Sequence, residues 1–210
     1  MSILGLDEAG RGSVLGPLVV GAFYCAAHNL PRLAPAGAAD SKTLTRKRRE
    51  TALTALIELG TAETVSITAR QIDQENINTL EENAFIELIL RFRPERVYLD
   101  APVAPRGIPA LVARIRSRVG DVELVVEPKA DGRYPVVGAA SIAAKVHRDA
   151  AIRDLGAVGS GYPSDPVTRD WIRGFLERGD PLPACVRSRW GTLDRLRQES
   201  LFPSSPPNPA

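Results

Sequence analysis

The second half of the chain alternates between short strand-like and longer helix-like segments, which limits the folds that it can adopt. Residues 96–100 and 122–126 are short and rich in β-branched or apolar side chains, whereas residues 108–119 and 134–155 have helical character. Parallel strands joined through a helix cross over with right-handed chirality. The alternation therefore predicts an α/β protein with parallel strands in this half.

The first half of the chain predicts the rest of the sheet. Strands are expected at residues 3–8 and 17–25, and the short glycine-rich link between them favours antiparallel pairing. The remaining predictions are a Pro/Ala-rich loop over His28 to Ala39, a helix from near Thr43 or Thr45 to Gly60, a strand over Thr64 to Ala69 and a helix over Glu75 to Phe92.

Together these elements predict a mixed five-stranded sheet with helices on both faces. Two further helices, over Asp165 to Glu177 and Thr192 to Glu199, follow the last strand and form a small C-terminal helical extension. We predict a main α/β domain over residues 1–158 and the extension, with a frayed tail, over residues 159–210.

Composition excludes several kinds of site. Two cysteines, Cys25 and Cys185, are too few for a disulfide framework or a four-cysteine zinc site, and we interpret both as buried residues. Two histidines argue against a histidine-rich metal site. The chain begins without the basic, apolar start of a signal peptide, and its longest apolar stretch is too short to span a bilayer. We therefore expect a cytoplasmic protein that does not act at a membrane.

Four acidic residues are placed where strands are predicted to end. Asp7 and Glu8 end the first strand, Asp100 ends the fourth, and Asp131 follows the fifth. Ligands of open α/β sheets bind at such edges, and an oxygen-only cluster suits Mg²⁺ or Mn²⁺. Taken singly, the acidic pair is also typical of a solvated turn, and Asp100 of a helix cap. Their joint placement favours a metal site.

Glycine and lysine supply two further signals. Gly10-Arg11-Gly12 follows the acidic pair, and its backbone amides and Arg11 can face a sugar or phosphate, although such a segment is also typical of a turn. Its glycine spacing fits neither a dinucleotide fingerprint nor a Walker loop. The 27 basic residues comprise 23 arginines and four lysines. Because arginine is so strongly preferred over lysine, each remaining lysine either provides a compact point charge or is there by chance.

These motifs, taken in order, resemble those of ribonuclease HII, and three of the four lysines lie inside them. The resemblance covers roughly residues 3–149. A later segment, Gly159 to Asp165 followed by Trp171, is more similar to the archaeal and eukaryotic branch. The matching segments are Gly5 to Gly12 with Gly16-Pro17, Asp40-Ser41-Lys42, Tyr98-Leu99-Asp100, Lys129-Ala130-Asp131, and Ala139 to Val146 with Arg148-Asp149.

The resemblance implies an RNase H-like fold and an endonuclease that cleaves the RNA strand of RNA–DNA hybrids and 5′ of single ribonucleotides embedded in duplex DNA. It implies hydrolysis with two Mg²⁺ or Mn²⁺ ions, giving a 5′-phosphate and a 3′-hydroxyl. The implied metal ligands and catalytic residues are Asp7, Glu8, Asp100 and Asp131. The implied substrate contacts are Gly10, Arg11 and Gly12 at the ribose 2′-hydroxyl, Lys42, Asn78, Ser141 and Lys145 at the backbone, and Tyr162 at the RNA–DNA junction.

Two basic segments leave alternatives open. The run Arg46 to Arg49 is either part of a nucleic-acid groove or, as we favour, a solvated helix face. Arg187 to Thr192 is more basic than the Arg-x-Ser-Trp pattern that the family resemblance predicts, so its substrate contacts are open.

Two other functions and one other assembly compete with this interpretation. A different two-metal nuclease, such as a resolvase or ribonuclease HIII, is one; the intact glycine segment and the lack of an N-terminal platform domain argue against ribonuclease HIII. A non-catalytic nucleic-acid-binding subunit would be expected to lack a carboxylate, and all four are present. The short chain leaves little room for the docking extension of a eukaryote-like heterotrimer, so we expect a monomer.

Overall fold

The computed structural model describes residues 1–38 and 44–201 and shows a mixed five-stranded sheet. Its order is β3-β2-β1-β4-β5. The first three strands pair antiparallel, and β1, β4 and β5 run parallel. The predicted mixed sheet is thereby confirmed. The strands are β1 (Ser2–Ala9), β2 (Leu18–Ala26), β3 (Thr61–Ile67), β4 (Arg96–Asp100) and β5 (Glu123–Glu127).

Within the described residues, eight α-helices flank the sheet. Helices α4 and α5 cover one face, and α2 and α6 cover the other. Alternation along β1 explains both layers, because Leu4 packs towards the first face and Ile3 towards the second. The helices are α1 (Leu30–Leu33), α2 (Arg46–Leu56), α3 (Ala69–Gln74), α4 (Ile77–Phe92), α5 (Ile108–Val119), α6 (Pro135–Arg153), α7 (Pro166–Arg178) and α8 (Gly191–Leu201).

Helix α6 lies unusually close to the centre of the sheet because two strand glycines leave room for its backbone. A Cβ atom added to Gly5 would lie 2.2 Å from the carbonyl oxygen of Val136, and one added to Gly21 would lie 2.3 Å from that of Ala140. Any larger residue at either position would push α6 away from the sheet. This close approach brings the middle of α6 next to the carboxyl end of β1.

The structure corrects the prediction of a loop over His28 to Ala39. Residues 27–38 instead form successive helical turns, namely a 3₁₀ turn, α1 and a π-type turn that is kinked at Gly37, whose φ is +107°. Leu33 and Ala38 are buried in the core layer beneath α6. Burial of these two side chains stabilises a helical path that the Pro/Ala-rich sequence does not by itself favour.

The third strand and the helix after it also begin at different residues from those predicted. Strand β3 runs over Thr61–Ile67 rather than residues 64–69. Thr68 ends it by capping α3, because its side chain accepts a hydrogen bond from the Gln71 amide. The predicted helix over residues 75–92 begins at Ile77, where Asn76 provides the cap.

The C-terminal helices pack against the loop that follows β1. Val14 and Leu15 of that loop belong to the same buried cluster as Ile172 of α7 and Leu193 of α8. The predicted helical extension is therefore present, while its boundary at residue 158 stays a prediction. Cys25 is buried as expected, but Cys185, in the segment between these helices, is partly exposed.

No helix among the described residues is both long enough and apolar enough to cross a membrane.

Candidate active site

Three carboxylates from separate elements meet at one edge of the sheet. Asp7 lies on β1, Asp100 ends β4, and Asp131 lies in the 3₁₀ turn after β5. One oxygen atom of each lies within 4.8 Å of the other two. Parallel pairing of β1, β4 and β5 brings their carboxyl ends together, and Asp100 Oδ1 accepts a hydrogen bond of 3.0 Å from the Ala130 amide. The sequence predicted this convergence, and we call these three residues the carboxylate cluster.

Burial makes the negative charge of this site costly. Asp7 is only 4% exposed. Burial raises its pKa from 3.8 to about 6, although Lys145 and Ser141 act to lower it. The pKa of Glu8 is also raised well above its ordinary value, first by burial and then by Asp7, Glu81 and Asp100. A desolvated group of carboxylates is stabilised by added positive charge.

The donor set of the carboxylate cluster fits a divalent cation. Its three carboxylates offer hard oxygen ligands of the kind that Mg²⁺ and Mn²⁺ prefer. Glu8 lines the same cleft but is not one of the three clustered residues, and its Oε2 atom is buried with no hydrogen-bond partner among the described residues. That oxygen atom can serve as a further ligand for a cation, or as a hydrogen-bond acceptor for a cation-bound water. The catalytic roles of all four residues stay predictions.

A cleft of about 420 Å³ opens over the carboxylate cluster. The glycine segment lies on one of its walls, together with Tyr162 from the loop before α7. The structure therefore brings most of the predicted site residues to one place. Lining residues are Asp7, Glu8, Ala9, Gly10, Arg11, Gly12, Arg49, Asp100, Asp131, Lys145, Arg148, Asp149 and Tyr162.

Arg11 is bound to protein groups, although it was predicted to face phosphate. Its Nε atom donates to both carboxylate oxygens of Glu81, at 3.2 and 3.1 Å, and a terminal nitrogen donates to Asn78 Oδ1. The predicted substrate contact Asn78 thus serves, in this structure, as an acceptor for Arg11. Glu81 is 1% exposed and was missed by sequence reasoning. The sequence feature that could have revealed Glu81 is an acidic residue on the apolar face of α4, one turn before Phe85.

Lys145 and Ser141 lie on the side of α6 that faces β1. Lys145 donates a hydrogen bond to Ser141 Oγ, and its Nζ atom lies 4.0 Å from an Asp7 oxygen. The ammonium group is therefore placed between the carboxylate cluster and the open cleft, where a phosphate can also reach it. Lys42, the other lysine predicted to contact the backbone, lies outside the described residues.

Tyr162 is held by a buried arginine. The Arg148 guanidinium lies over the tyrosine ring, 4.6 Å from its centre, and donates to the Ser160 carbonyl at 2.5 Å. Arg148 is 5% exposed. The sequence placed Arg148 inside a motif but assigned it no role. Ser160 and Tyr162 lie more than ten residues later, in a loop whose path the sequence did not predict.

The basic run at the start of α2 divides between two environments. Arg49 reaches the cleft and pairs with Asp149 at 2.7 Å. Arg46 shares the Glu50 carboxylate with Arg153, at 3.7 and 3.5 Å. Lys47 and Arg48 of the run are exposed, as expected of a solvated helix face.

Comparisons with known proteins agree with this geometry. The family model for Ribonuclease HII matches residues 4–193. A ribonuclease HII from Archaeoglobus fulgidus is 38% identical over 205 residues, covering 94% of this chain and 97% of its own. The crystal structure of ribonuclease H2 from Pyrococcus horikoshii has a TM-score of 0.85 at 36% identity. The match covers 96% of this chain and 100% of that one. Bst-RNase HIII in complex with Mn²⁺ shares the fold, with a TM-score of 0.75 at 21% identity over 96% of this chain and 69% of that one.

Proposed function

The chain belongs to the ribonuclease HII family and is thus a ribonuclease H endonuclease acting on RNA–DNA hybrids; from this premise we propose that it also cleaves duplex DNA on the 5′ side of a single embedded ribonucleotide. One observation carries the proposal. The carboxylate cluster, the glycine segment and Tyr162 all line the same cleft. The segment that would read the ribose thus lies beside the groups that would hold a cation.

The carboxylate cluster would hold the divalent cations of the reaction, Mg²⁺ or Mn²⁺, with Glu8 as a further ligand. When bound there, two such ions would supply an activated water and stabilise the leaving 3′-oxygen, giving a 5′-phosphate and a 3′-hydroxyl. The protein's own side chains would hold the cations and orient the substrate. Lys145, 4.0 Å from Asp7, offsets part of the negative charge and presents its ammonium to a phosphate in the cleft.

The glycine segment would read the 2′-hydroxyl through its backbone. Gly10 has a φ of +82°, and a Cβ atom there would lie 2.7 Å from the Pro17 carbonyl oxygen, so this conformation needs glycine. An added Cβ at Gly12, by contrast, meets no atom within 4 Å. The open space beside Gly12 supports close approach of a sugar from the cleft.

Tyr162 would contact the sugar on the DNA side of the junction. Its ring can pack against a deoxyribose, and its hydroxyl can bond a neighbouring 2′-hydroxyl. Arg148 holds the ring in the cleft by lying over its other face. We also propose that the enzyme acts as a monomer, which light scattering of the purified protein tests.

Cleavage of a labelled duplex with one ribonucleotide tests the proposal. We expect a single cut on the 5′ side that requires Mg²⁺ or Mn²⁺ and is lost in Asp100→Asn. The matched control is Asp121→Asn, an exposed residue away from the cleft, which should cut at the wild-type rate. If the wild type cuts RNA–DNA hybrids but leaves the embedded ribonucleotide intact, the proposal is wrong and the family's hybrid activity stands alone.

A further inference from the structure

Arg187 is a buried arginine behind the cleft whose hydrogen bonds go to backbone carbonyls. Its side chain is 0% exposed. Nε donates to the Gly16 carbonyl at 3.2 Å, and the two terminal nitrogens donate to those of Arg11 at 2.9 Å and Gly10 at 2.7 Å. Burial and the nearby Arg148 lower the pKa of Arg187 to about 10, so the side chain is charged at neutral pH.

A buried cation of this kind is costly unless its donors are satisfied. Charge-assisted hydrogen bonds to three carbonyls offset that cost, and they also fix the positions of the carbonyls. All three belong to residues 10–16, which we call the recognition loop. The arginine lies more than 170 residues later in the chain. Its placement therefore links the C-terminal extension to the wall of the cleft.

Neighbouring residues of the C-terminal segment hold the same side of the recognition loop. The Arg187 amide donates to the Val14 carbonyl at 2.9 Å, and the Gly16 amide donates to the Cys185 carbonyl at 2.8 Å. The amides of Val14 and Leu15 both donate to the Gly161 carbonyl, beside Tyr162. The back of the loop is thus tied to two other segments, while its front at Gly12 stays open to the cleft.

Arg11 is consequently held at both ends. Its guanidinium is bound by Glu81, and its carbonyl is bound by Arg187. The residue is the centre of the glycine segment, so these two contacts determine where the backbone amides on either side of it point. Neither Glu81 nor Arg187 is among the residues that line the cleft.

We propose that Arg187 is a positioning residue that holds the recognition loop in the conformation that contacts the ribose 2′-hydroxyl. This inference rests on the proposed function, because it assigns the loop to that hydroxyl. Discrimination between a ribonucleotide and a deoxyribonucleotide is then set partly by the C-terminal extension, at a residue that contacts neither the substrate nor a cation.

A lysine at this position separates charge from geometry. The guanidinium serves three carbonyls from three nitrogen atoms held in one plane, whereas a lysine side chain has a single nitrogen and a shorter total reach. Arg187→Lys therefore keeps the charge but cannot reach all three carbonyls. The recognition loop should loosen while the carboxylate cluster keeps its ligands.

The test measures ribonucleotide discrimination during turnover. A labelled duplex with one embedded ribonucleotide gives KM and kcat, and an all-DNA duplex of the same sequence, used as competitor, gives Ki. The ratio Ki/KM reports selection for the 2′-hydroxyl. Both constants are independent of the concentration of folded enzyme, whereas partial unfolding lowers the apparent kcat alone. Loss of stability and loss of positioning are thereby separated.

We expect Arg187→Lys to lower Ki/KM by about tenfold, corresponding to the loss of one or two buried hydrogen bonds, with Ki unchanged. The matched control is Leu196→Ala. Leu196 is 1% exposed and belongs to the same buried cluster as Val14 and Leu15 of the recognition loop, but its side chain can form no hydrogen bond with the carbonyls that Arg187 binds. This variant should melt at a lower temperature and keep the wild-type ratio.

Arg187→Ala provides a second measurement if the lysine variant does not fold. Millimolar guanidinium should enter the vacated site and restore both the fold and the Ki/KM ratio, and it should have no effect on Leu196→Ala. A wild-type ratio in folded Arg187→Lys, or failure of guanidinium to restore Arg187→Ala, would overturn the inference. If the wild type itself shows no preference for the ribonucleotide, it is the proposed function that fails.

Discussion

Replacing Asp7 with asparagine should stabilise the cation-free protein at neutral pH while removing its activity. Burial raises the pKa of Asp7 from 3.8 to about 6. A difference of about two pKa units corresponds to about 3 kcal/mol of unfavourable free energy when the folded protein carries the ionised side chain. Asparagine has nearly the same shape without the charge, and its Oδ1 can still accept the Glu8 amide, at 2.8 Å in the wild type.

The pH dependence of this effect has a definite sign. The folded state binds the Asp7 proton more tightly than the unfolded state, because the folded pKa is the higher one. Protonation therefore stabilises the wild type, and this stability is lost as the pH rises through about 6. The gap between Asp7→Asn and the wild type should be widest above pH 6 and should close below pH 3.8.

Urea unfolding in EDTA, at pH values above and below this window, measures the gap. Above it the variant should gain as much as about 3 kcal/mol, or roughly 6–12 °C in melting temperature for a chain of this size. Asp121→Asn, at an exposed position, is the control and should match the wild type throughout. Single-turnover cleavage with Mg²⁺ should fall by orders of magnitude for Asp7→Asn. A variant no more stable than the wild type above pH 6, or a gap that persists in acid, would refute the reasoning.

Three further predictions concern the walls of the cleft. Glu81→Gln should raise KM for the embedded ribonucleotide, because the Arg11 guanidinium loses its carboxylate partner; steady-state kinetics measure this, with Glu82→Gln, whose partner is Arg114, as the control. Lys145→Ala should reduce the salt slope of duplex binding by about one unit, measured by titration at several salt concentrations; an unchanged slope would contradict a phosphate contact. Tyr162→Ala should slow cleavage at single ribonucleotides more than cleavage of continuous hybrids, and equal losses in parallel assays would reduce the residue to a packing role.

Local patterns in the sequence were enough to locate some elements, although these elements still pair and pack with distant residues. Strand β4 and helix α5 lie at the predicted residues, 96–100 and 108–119. Short-range features predict both elements, because Val97 and Tyr98 favour the strand, and a proline near its start with a glycine after its end bounds the helix. The acidic strand ends also followed from local order, since parallel strands place their carboxyl ends at one edge of the sheet. The convergence of Asp7, Asp100 and Asp131 was predictable for that reason.

Contacts between distant residues were decided only by the tertiary structure. The sequence indicated that Arg11 can face phosphate, and only the structure shows that its guanidinium is bound by Glu81, which is 70 residues away. The helical turns over residues 27–38 exist because α6 covers Leu33 and Ala38. Arg187 became a support of the recognition loop because the C-terminal segment returns to pair with Val14 and Leu15. Each of these outcomes depends on burial, which makes an unpaired charge or carbonyl costly, and burial is a property of the packed chain rather than of any local segment.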